Sequence, residues 1–260
     1  MRVNQDVAVC GNSIILVPYD KHHVLKYHEW MEDEKIRQLT ASDRLSLEQE
    51  YENQASWRTS GDKLTFIICK GASFSNLAAS ASPVIAGKVD VPGSMAGDVN
   101  AFISPWDPAD YEDRVTICEE YETKAYCAAE IDIMIADPTS RGKGLGRAAV
   151  AAFLLYIRRN LDEILGEFDG WSRDNKGKHK TRVLKEVAAK IYEDNTASIA
   201  LFKSLGFKQR GGVNYFGEIE LVLEGFGEEG FELKGTVGGD LVGMGYKEVG
   251  YDRSMLEEEV

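Results

Sequence analysis

Residues 129–160 read AEIDIMIADPTSRGKGLGRAAVAAFLLYIRRN, and the fold turns on what the glycines in the middle do. Before them, AEIDIMIA alternates polar and apolar side chains, the period of a half-buried strand. After them, Leu145, Ala148, Ala149, Ala152, Phe153 and Tyr156 mark a helix apolar on most sides, closed by Arg158 and Arg159 at the end where cations suit the helix dipole. Gly142, Gly144 and Gly146 remove every second side chain, so successive backbone N–H groups can converge where the helix presents its positive end. Arg141, Lys143 and Arg147 add charge to the same turn, a combination suited to a diphosphate.

Other turns share parts of this pattern. A glycine pair alone is often a surface turn. A Walker loop needs GxxxxGK followed by Ser or Thr, which is absent. GLGRAA satisfies GxGxxA, but a dinucleotide turn follows its strand at once and leads to a second buried strand. Here DPTSR intervenes and the helix runs into GEFDGWSRDNKGKHK, which is no strand.

Working outward, SIILVPYD predicts a first strand, and HHVLKYHEWMEDEKIRQL and SLEQEYENQASW predict two helices joined by TASDR. Ser46 with Gln49 three residues on forms a capping-box pattern. KLTFIIC and GDVNAFIS predict further strands, EVAAKIYEDN another, TASIALFKSLGF a short helix, and NYFGEIELVLEG one or two closing strands. This order predicts an α/β or α+β layered fold. We expect one domain over 1–224, with insertions near 71–83, 105–124 and 166–182. Residues 225–260 follow as an acidic, glycine-rich tail holding nine acidic and three basic side chains, a composition unable to build a core of its own.

The chain has 260 residues, 43% of them hydrophobic, enough for one substantial core. A net charge of −13 opposes phosphate backbones, so nucleic acid is not an expected partner. No apolar run reaches the roughly 20 residues of a membrane helix, and the first residues lack the order of a signal peptide. The expectation is a cytoplasmic protein that does not engage membranes. The four cysteines and four histidines show no metal-ligand spacing, so no metal is expected.

Arg-x-x-Gly-x-Gly between a long strand and a buried helix resembles the GNAT acetyltransferase superfamily, and NTASIALFKSLGF extends the likeness with Asn-x-x-Ser and Leu-Gly-Phe. Within it, MRVNQDVAVCGNSIILVPYD, YHEWM, LTASDRLSLEQEY, DKLTFII, GDVNAF and MIADPTSRGKGLG resemble the N-acetyltransferase 9 family, a likeness reaching residue 207. The resemblance implies a GNAT fold: a central mixed, mostly antiparallel, splayed sheet flanked by helices. It further implies acetyl-CoA as co-substrate. Arg141, Gly142, Lys143, Gly144, Leu145, Gly146 and Arg147 would grip the pyrophosphate. Backbone groups of Met134, Ile135 and Ala136, with Asn195 and Ser198, would lie along the pantetheine arm. Trp30, Thr40, Ser42 and Tyr215 would border the acceptor, Trp30 having core packing as its alternative. Ser198 becomes a candidate partner for the leaving thiolate, because Phe202 stands where many members carry a tyrosine.

Acetyl transfer to an amine needs a proton acceptor. Glu130 and Asp132, two residues apart on a strand, point to one face and are candidate bases, with a solvated sheet edge as the alternative. An α-amino group titrates near 7.7–8.0 and a lysine near 10.4, so lysine costs about 3.4 kcal/mol more to neutralise. A protein N-terminus is therefore the better acceptor, and the resemblance points to the N-termini of α- and β-tubulin, which start Met-Arg-Glu. An acyl-CoA-binding or microtubule-associated protein without turnover is the alternative. The basic stretch at 172–185 reads as a solvated insertion or as a contact for an acidic surface.

Overall fold

The computed structural model describes residues 1–70, 82–106, 124–172, 181–228, 230, 231, 233 and 245–256. Most of the three expected insertions, at 71–81, 107–123 and 173–180, lies outside the described residues.

Ten strands form one mixed sheet. In chain order they are β1 (Val7–Cys10), β2 (Ile14–Pro18), β3 (Lys63–Lys70), β4 (Val84–Ile85), β5 (Met95–Pro105), β6 (Lys124–Ile135), β7 (Thr181–Tyr192), β8 (Lys208–Arg210), β9 (Glu218–Glu224) and β10 (Lys247–Asp252). In space they run β4-β10-β1-β2-β3-β5-β6-β7-β9-β8. Only β10/β4 and β6/β7 pair in parallel among the described residues. The mixed, mostly antiparallel sheet flanked by helices agrees with the expected fold.

Among the described residues six α-helices pack on the two faces: α1 (Val24–Met31), α2 (Glu34–Leu39), α3 (Leu47–Thr59), α4 (Leu145–Arg159), α5 (Leu161–Trp171) and α6 (Thr196–Ser204). Alternation along the strands divides the core. One face buries Leu64, Phe66, Val99 and Ile131 against α4, where the Phe66 ring stands edge-on to Phe153 and Tyr156 at 5.9 and 5.1 Å. The other buries Ile15, Val17, Ile67 and Cys69 against Trp30, Met31 and Ile36 of the first two helices.

Three expectations need correction. The first helical stretch is two helices, because the Asp33 carboxylate accepts the Lys35 N–H at 2.9 Å and starts α2 anew. The insertion expected from 166 is helical through Trp171, with Phe168 buried on the sheet. The tail is not merely an appendage: β10 pairs with β1 from Val7↔Gly250 to Cys10↔Lys247, and Tyr251 is buried. The Ser46–Gln49 capping box starts α3 as the sequence predicts.

The sheet opens where the site lies. β6 pairs with β5 along most of its length, from Gly97↔Ile135 to Pro105↔Cys127. Its pairing with β7 stops at Glu130↔Ala188, after which β7 follows β9 alone to Tyr192↔Glu218. Residues 131–135 of β6 therefore keep one edge without a strand partner among the described residues.

Candidate active site

The turn after β6 is built from its own sequence. Asp137 accepts the Thr139 N–H at 3.0 Å and the Ser140 hydroxyl at 2.6 Å, folding Pro138–Ser140 into a single 3-10 turn. Lys70 donates to the same carboxylate, and this bond and that of Ser140 hold the Asp137 carboxyl well below the usual carboxylate range. Gly142 and Gly144 follow with φ of 70° and 78°, in the left-handed region that side chains resist. Gly144 caps α4 without a side chain, and no acidic residue occupies the first turn. The helix therefore presents uncapped N–H groups and the positive end of its dipole. At Gly146 an added Cβ would sit 3.1 Å from Leu201 Cδ1, so glycine there sets the close packing of α4 on α6.

The cations divide their work. Arg141 turns back, its Nε donating to the Ile135 carbonyl at 2.8 Å and a terminal nitrogen to that of Ala136 at 3.2 Å. Arg147 donates to the Ser204 hydroxyl at 3.1 Å. Lys143 is exposed, as are Arg141, Gly142 and Gly144, whereas Leu145 is buried beneath the turn.

These bonds change the expectation for the β6 edge. The Ile135 and Ala136 carbonyls are engaged by Arg141, and Met134 faces β5, since a Cβ on Gly97 would lie 1.8 Å from the Met134 carbonyl oxygen. N–H and C=O of one strand residue point the same way. The edge facing the gap therefore belongs to Ile133 and to the N–H of Ile135, whose carbonyl Arg141 engages.

Beside the gap lies a cleft of about 280 Å³, lined by Asp98, Asn100, Glu130, Asp132, Met134, Lys190, Asn195, Ser198, Phe202 and Glu218 and walled by Leu39–Ser42 and Trp57. Register explains its floor: Asn100 faces Asp132 and Phe102 faces Glu130 across β5 and β6, all on one surface of the sheet. Four carboxylates and one cation occupy it. Lys190 is committed to Glu130 at 2.7 Å. Asp132 is open to solvent at the mouth but crowded by protein on its other sides. That desolvation, with the charges of Glu130 and Asp98, pushes its carboxyl up to about 7. Asp98 is fully buried, and burial raises it to about 6, although Asn100 at 2.8 Å and the Tyr27 hydroxyl at 3.3 Å donate to its Oδ2. Asp98 Oδ1 and Asn100 Oδ1 have no partner among the described residues.

The expected site residues fare unequally. Glu130, Asp132, Met134, Asn195 and Ser198 share the cleft, but Glu130 is engaged by Lys190. Asn195 Oδ1 caps α6 by accepting the Ser198 N–H at 3.2 Å. Thr40 and Ser42 line the cleft, whereas Trp30 packs in the core and Tyr215 stands 96% exposed outside it. Sequence reasoning passed over Asp98, Asn100, Tyr27, Lys190 and Glu218. The alternation in GDVNAFIS carries the signal for the first two, because it puts both on one face of β5.

A second polar cluster sits away from the cleft. Asp90 Oδ2 accepts from His22 and His23 Nε2, each at 3.0 Å, and from the Tyr251 hydroxyl, and Oδ1 accepts the Gly87 N–H at 2.7 Å. His23 Nδ1 accepts the Asp20 N–H at 3.0 Å, so its proton is on Nε2 and that nitrogen is a donor to Asp90. The trio is a hydrogen-bond hub in this arrangement, and its His and carboxylate atoms lie within 4.8 Å of one another, close enough to hold a metal ion.

The family model of the acetyltransferase (GNAT) domain matches residues 13–208. An N-acetyltransferase 9-like protein of Dictyostelium discoideum is 38% identical over 90% of this chain and 92% of its own. The alpha/beta-tubulin-N-acetyltransferase 9 of Homo sapiens is 36% identical over 86% of each chain. Among solved structures, spermidine N-acetyltransferase from Vibrio cholerae covers 81% of this chain and 95% of its own, with TM-score 0.51 and 12% identity, a likeness of fold. The splayed strand, the glycine turn and these relatives agree: the chain belongs to the GNAT acetyltransferases, as a member of the N-acetyltransferase 9 family, and is an N-acetyltransferase.

Proposed function

We propose that the protein transfers acetyl from acetyl-CoA to the α-amine of a protein N-terminus, in the cytoplasm, with tubulin-like chains as acceptors. The observation that carries this reading is the coincidence of three features: the unpaired edge of β6, the uncapped end of α4, and Asp132 in the cleft beside them. Residues 141–147 fit a diphosphate, because Gly142 and Gly144 have open space around them and α4 has no side-chain cap. Ile133 and Ile135 would hold the pantetheine arm through their backbone. When bound, the coenzyme supplies an activated acetyl group on sulfur.

Asp132 takes the amine's proton. From an α-ammonium near 7.7–8.0 to a carboxylate near 7, the transfer costs about 1 kcal/mol; from lysine near 10.4 it costs about 5 kcal/mol. That difference favours the N-terminal amine. Phe202 is buried and has no hydroxyl, and we assign Ser198, which lines the cleft, to meet the leaving thiolate. The names of the Drosophila melanogaster and human relatives, alpha/beta-tubulin-N-acetyltransferase 9, support the choice of acceptor.

Calorimetric titration with acetyl-CoA, followed by thiol release on a Met-Arg-Glu peptide and on an N-blocked lysine peptide, tests the reading. We expect binding, and release on the first peptide. Binding without release on either would favour a coenzyme-binding protein without turnover. Unchanged binding by Gly144→Glu would remove the turn from the site.

A further inference from the structure

The turn that leads into α4 is shaped by a carboxylate. Between Ile133 and Leu161 the sequence holds one acidic side chain, Asp137, and it stands five residues ahead of Gly142. Its oxygens fold the chain locally: Oδ1 accepts the Thr139 N–H at 3.0 Å, Oδ2 accepts the Ser140 hydroxyl at 2.6 Å, and the Thr139 hydroxyl reaches both, at 2.9 and 2.8 Å. An aspartate folds a turn in this way by accepting the backbone N–H two residues on. Its charge is unwelcome to the ligand, because a diphosphate carries the same sign.

A side chain from another strand meets this conflict. β3 and β6 are not neighbours; β5 runs between them, with Cys69 opposite Met95 on one side and Ile135 opposite Gly97 on the other. Where β5 begins, the Asp137 N–H donates to the Ala96 carbonyl at 3.1 Å and the Lys70 N–H to that of Ser94 at 2.8 Å. The ends of β3 and β6 are thus tied to the same short piece of chain, and Lys70 gives its ammonium to Asp137 Oδ2. Arg141, nearer in sequence, does not take this role, since its guanidinium is turned to the carbonyls of Ile135 and Ala136.

We propose that Lys70 is a positioning residue for the coenzyme: by neutralising Asp137 it lets a carboxylate shape the turn without repelling the diphosphate that the turn receives. This rests on the acetyl-CoA reading of residues 141–147 above. Lys70 acts through Asp137. The charged pair fastens the turn to β3 and adds no net charge beside the ligand, whereas an unpaired carboxylate would do the first task at the expense of binding.

The test measures the affinity of the full chain for acetyl-CoA by calorimetry at low and high salt, with Tm recorded for each variant. Lys70→Met leaves the Asp137 charge unpaired and should weaken binding about fivefold at low salt, the order expected for one charge near a polyanion in a partly hydrated site. That loss should shrink at high salt, which screens charge but does not mend a displaced turn. Lys70→Arg, which can still pair with the carboxylate, should bind within about twofold of the wild type. Adding Asp137→Asn to Lys70→Met should recover most of the affinity, because no charge is left to neutralise, a result that loss of a structural tie alone cannot give. Asp137→Asn by itself keeps acceptors for the turn and should bind at least as tightly as the wild type, an arm that stands even where Lys70→Met does not fold. Wild-type affinity in Lys70→Met, an equal loss in the single and double variants, a loss indifferent to salt, or weaker binding by Asp137→Asn overturns the inference. Failure of the coenzyme reading, with which the inference would also fall, shows separately: the wild type binds no acetyl-CoA, or Gly144→Glu binds it undiminished.

Discussion

Asp90 and Asp98 are both buried carboxylates, and they ionise in opposite directions. Burial acts against the charge of each. Around Asp90, donors from His22, His23, Tyr251 and Gly87 outweigh it and hold the carboxyl far below the usual range. Asp98 has two donors, both on one oxygen, and burial prevails. The comparison teaches that depth alone does not assign a role. A fully satisfied carboxylate ties segments together, whereas an under-satisfied one beside a cleft is held ready for chemistry.

The strongest test of this division is at Asp132, which shares the cleft with Asp98. Asp132→Asn should lower kcat by about 10²–10⁴ while leaving Tm within a few degrees, as expected for loss of a general base; a full-rate variant would end its role. Next in size, Asp90→Ala should cost about 3–5 kcal/mol in denaturant unfolding, because four donors lose their acceptor, with acetyl-CoA affinity preserved in the folded fraction. The same substitution at Asp98 should cost less at neutral pH, because two donors rather than four lose their acceptor and burial already opposes the ionised carboxylate. Its carboxyl is raised from 3.8 to about 6 by folding, so the folded state holds the proton more tightly. Stability conferred by the protonated form is present below about pH 4 and is lost as pH rises to about 6, a change of about 3 kcal/mol. Asp98→Asn should flatten that stretch of the stability profile, and an unchanged profile would break the contrast with Asp90. The smallest effect is expected at Glu130. As half of a partly exposed pair with Lys190, worth at most about 1 kcal/mol, Glu130→Gln should change kcat less than tenfold; a loss equal to that of Asp132→Asn would restore it as the base.

Local signals in the sequence served well where local physics decides. Glycines at 142 and 144, the Ser46–Gln49 box and the polar alternation of β6 each act over a few residues, and each marks an element at the same place in the structure. The pairing of Glu130 and Asp132 on one face was legible for the same reason. Which acid is free was not, because Lys190 arrives from β7 and Asp98 from β5. β10 escaped notice because its glycines and acids resemble a solvated tail, and its partner β1 lies at the other end of the sequence. Thr40 and Ser42 were placed beside the cleft by resemblance, but their side-chain bonds follow from helix closure that residue type alone does not reveal.

The pairing of Val7 with Gly250 also governs when the sheet can be finished. A chain emerging from the ribosome makes the β1–β2 hairpin early, but the outer edge of β1 then stays open until β10, far along the sequence, has been made. Contacts of such high sequence separation form slowly and leave an unpaired strand edge available to other chains in the meantime. Arrival of β10 closes that edge and brings Tyr251 to Asp90. β10 thus acts as the latch that covers β1 and joins β4 to the sheet, and translation that stalls before it leaves a nascent chain with an adhesive border.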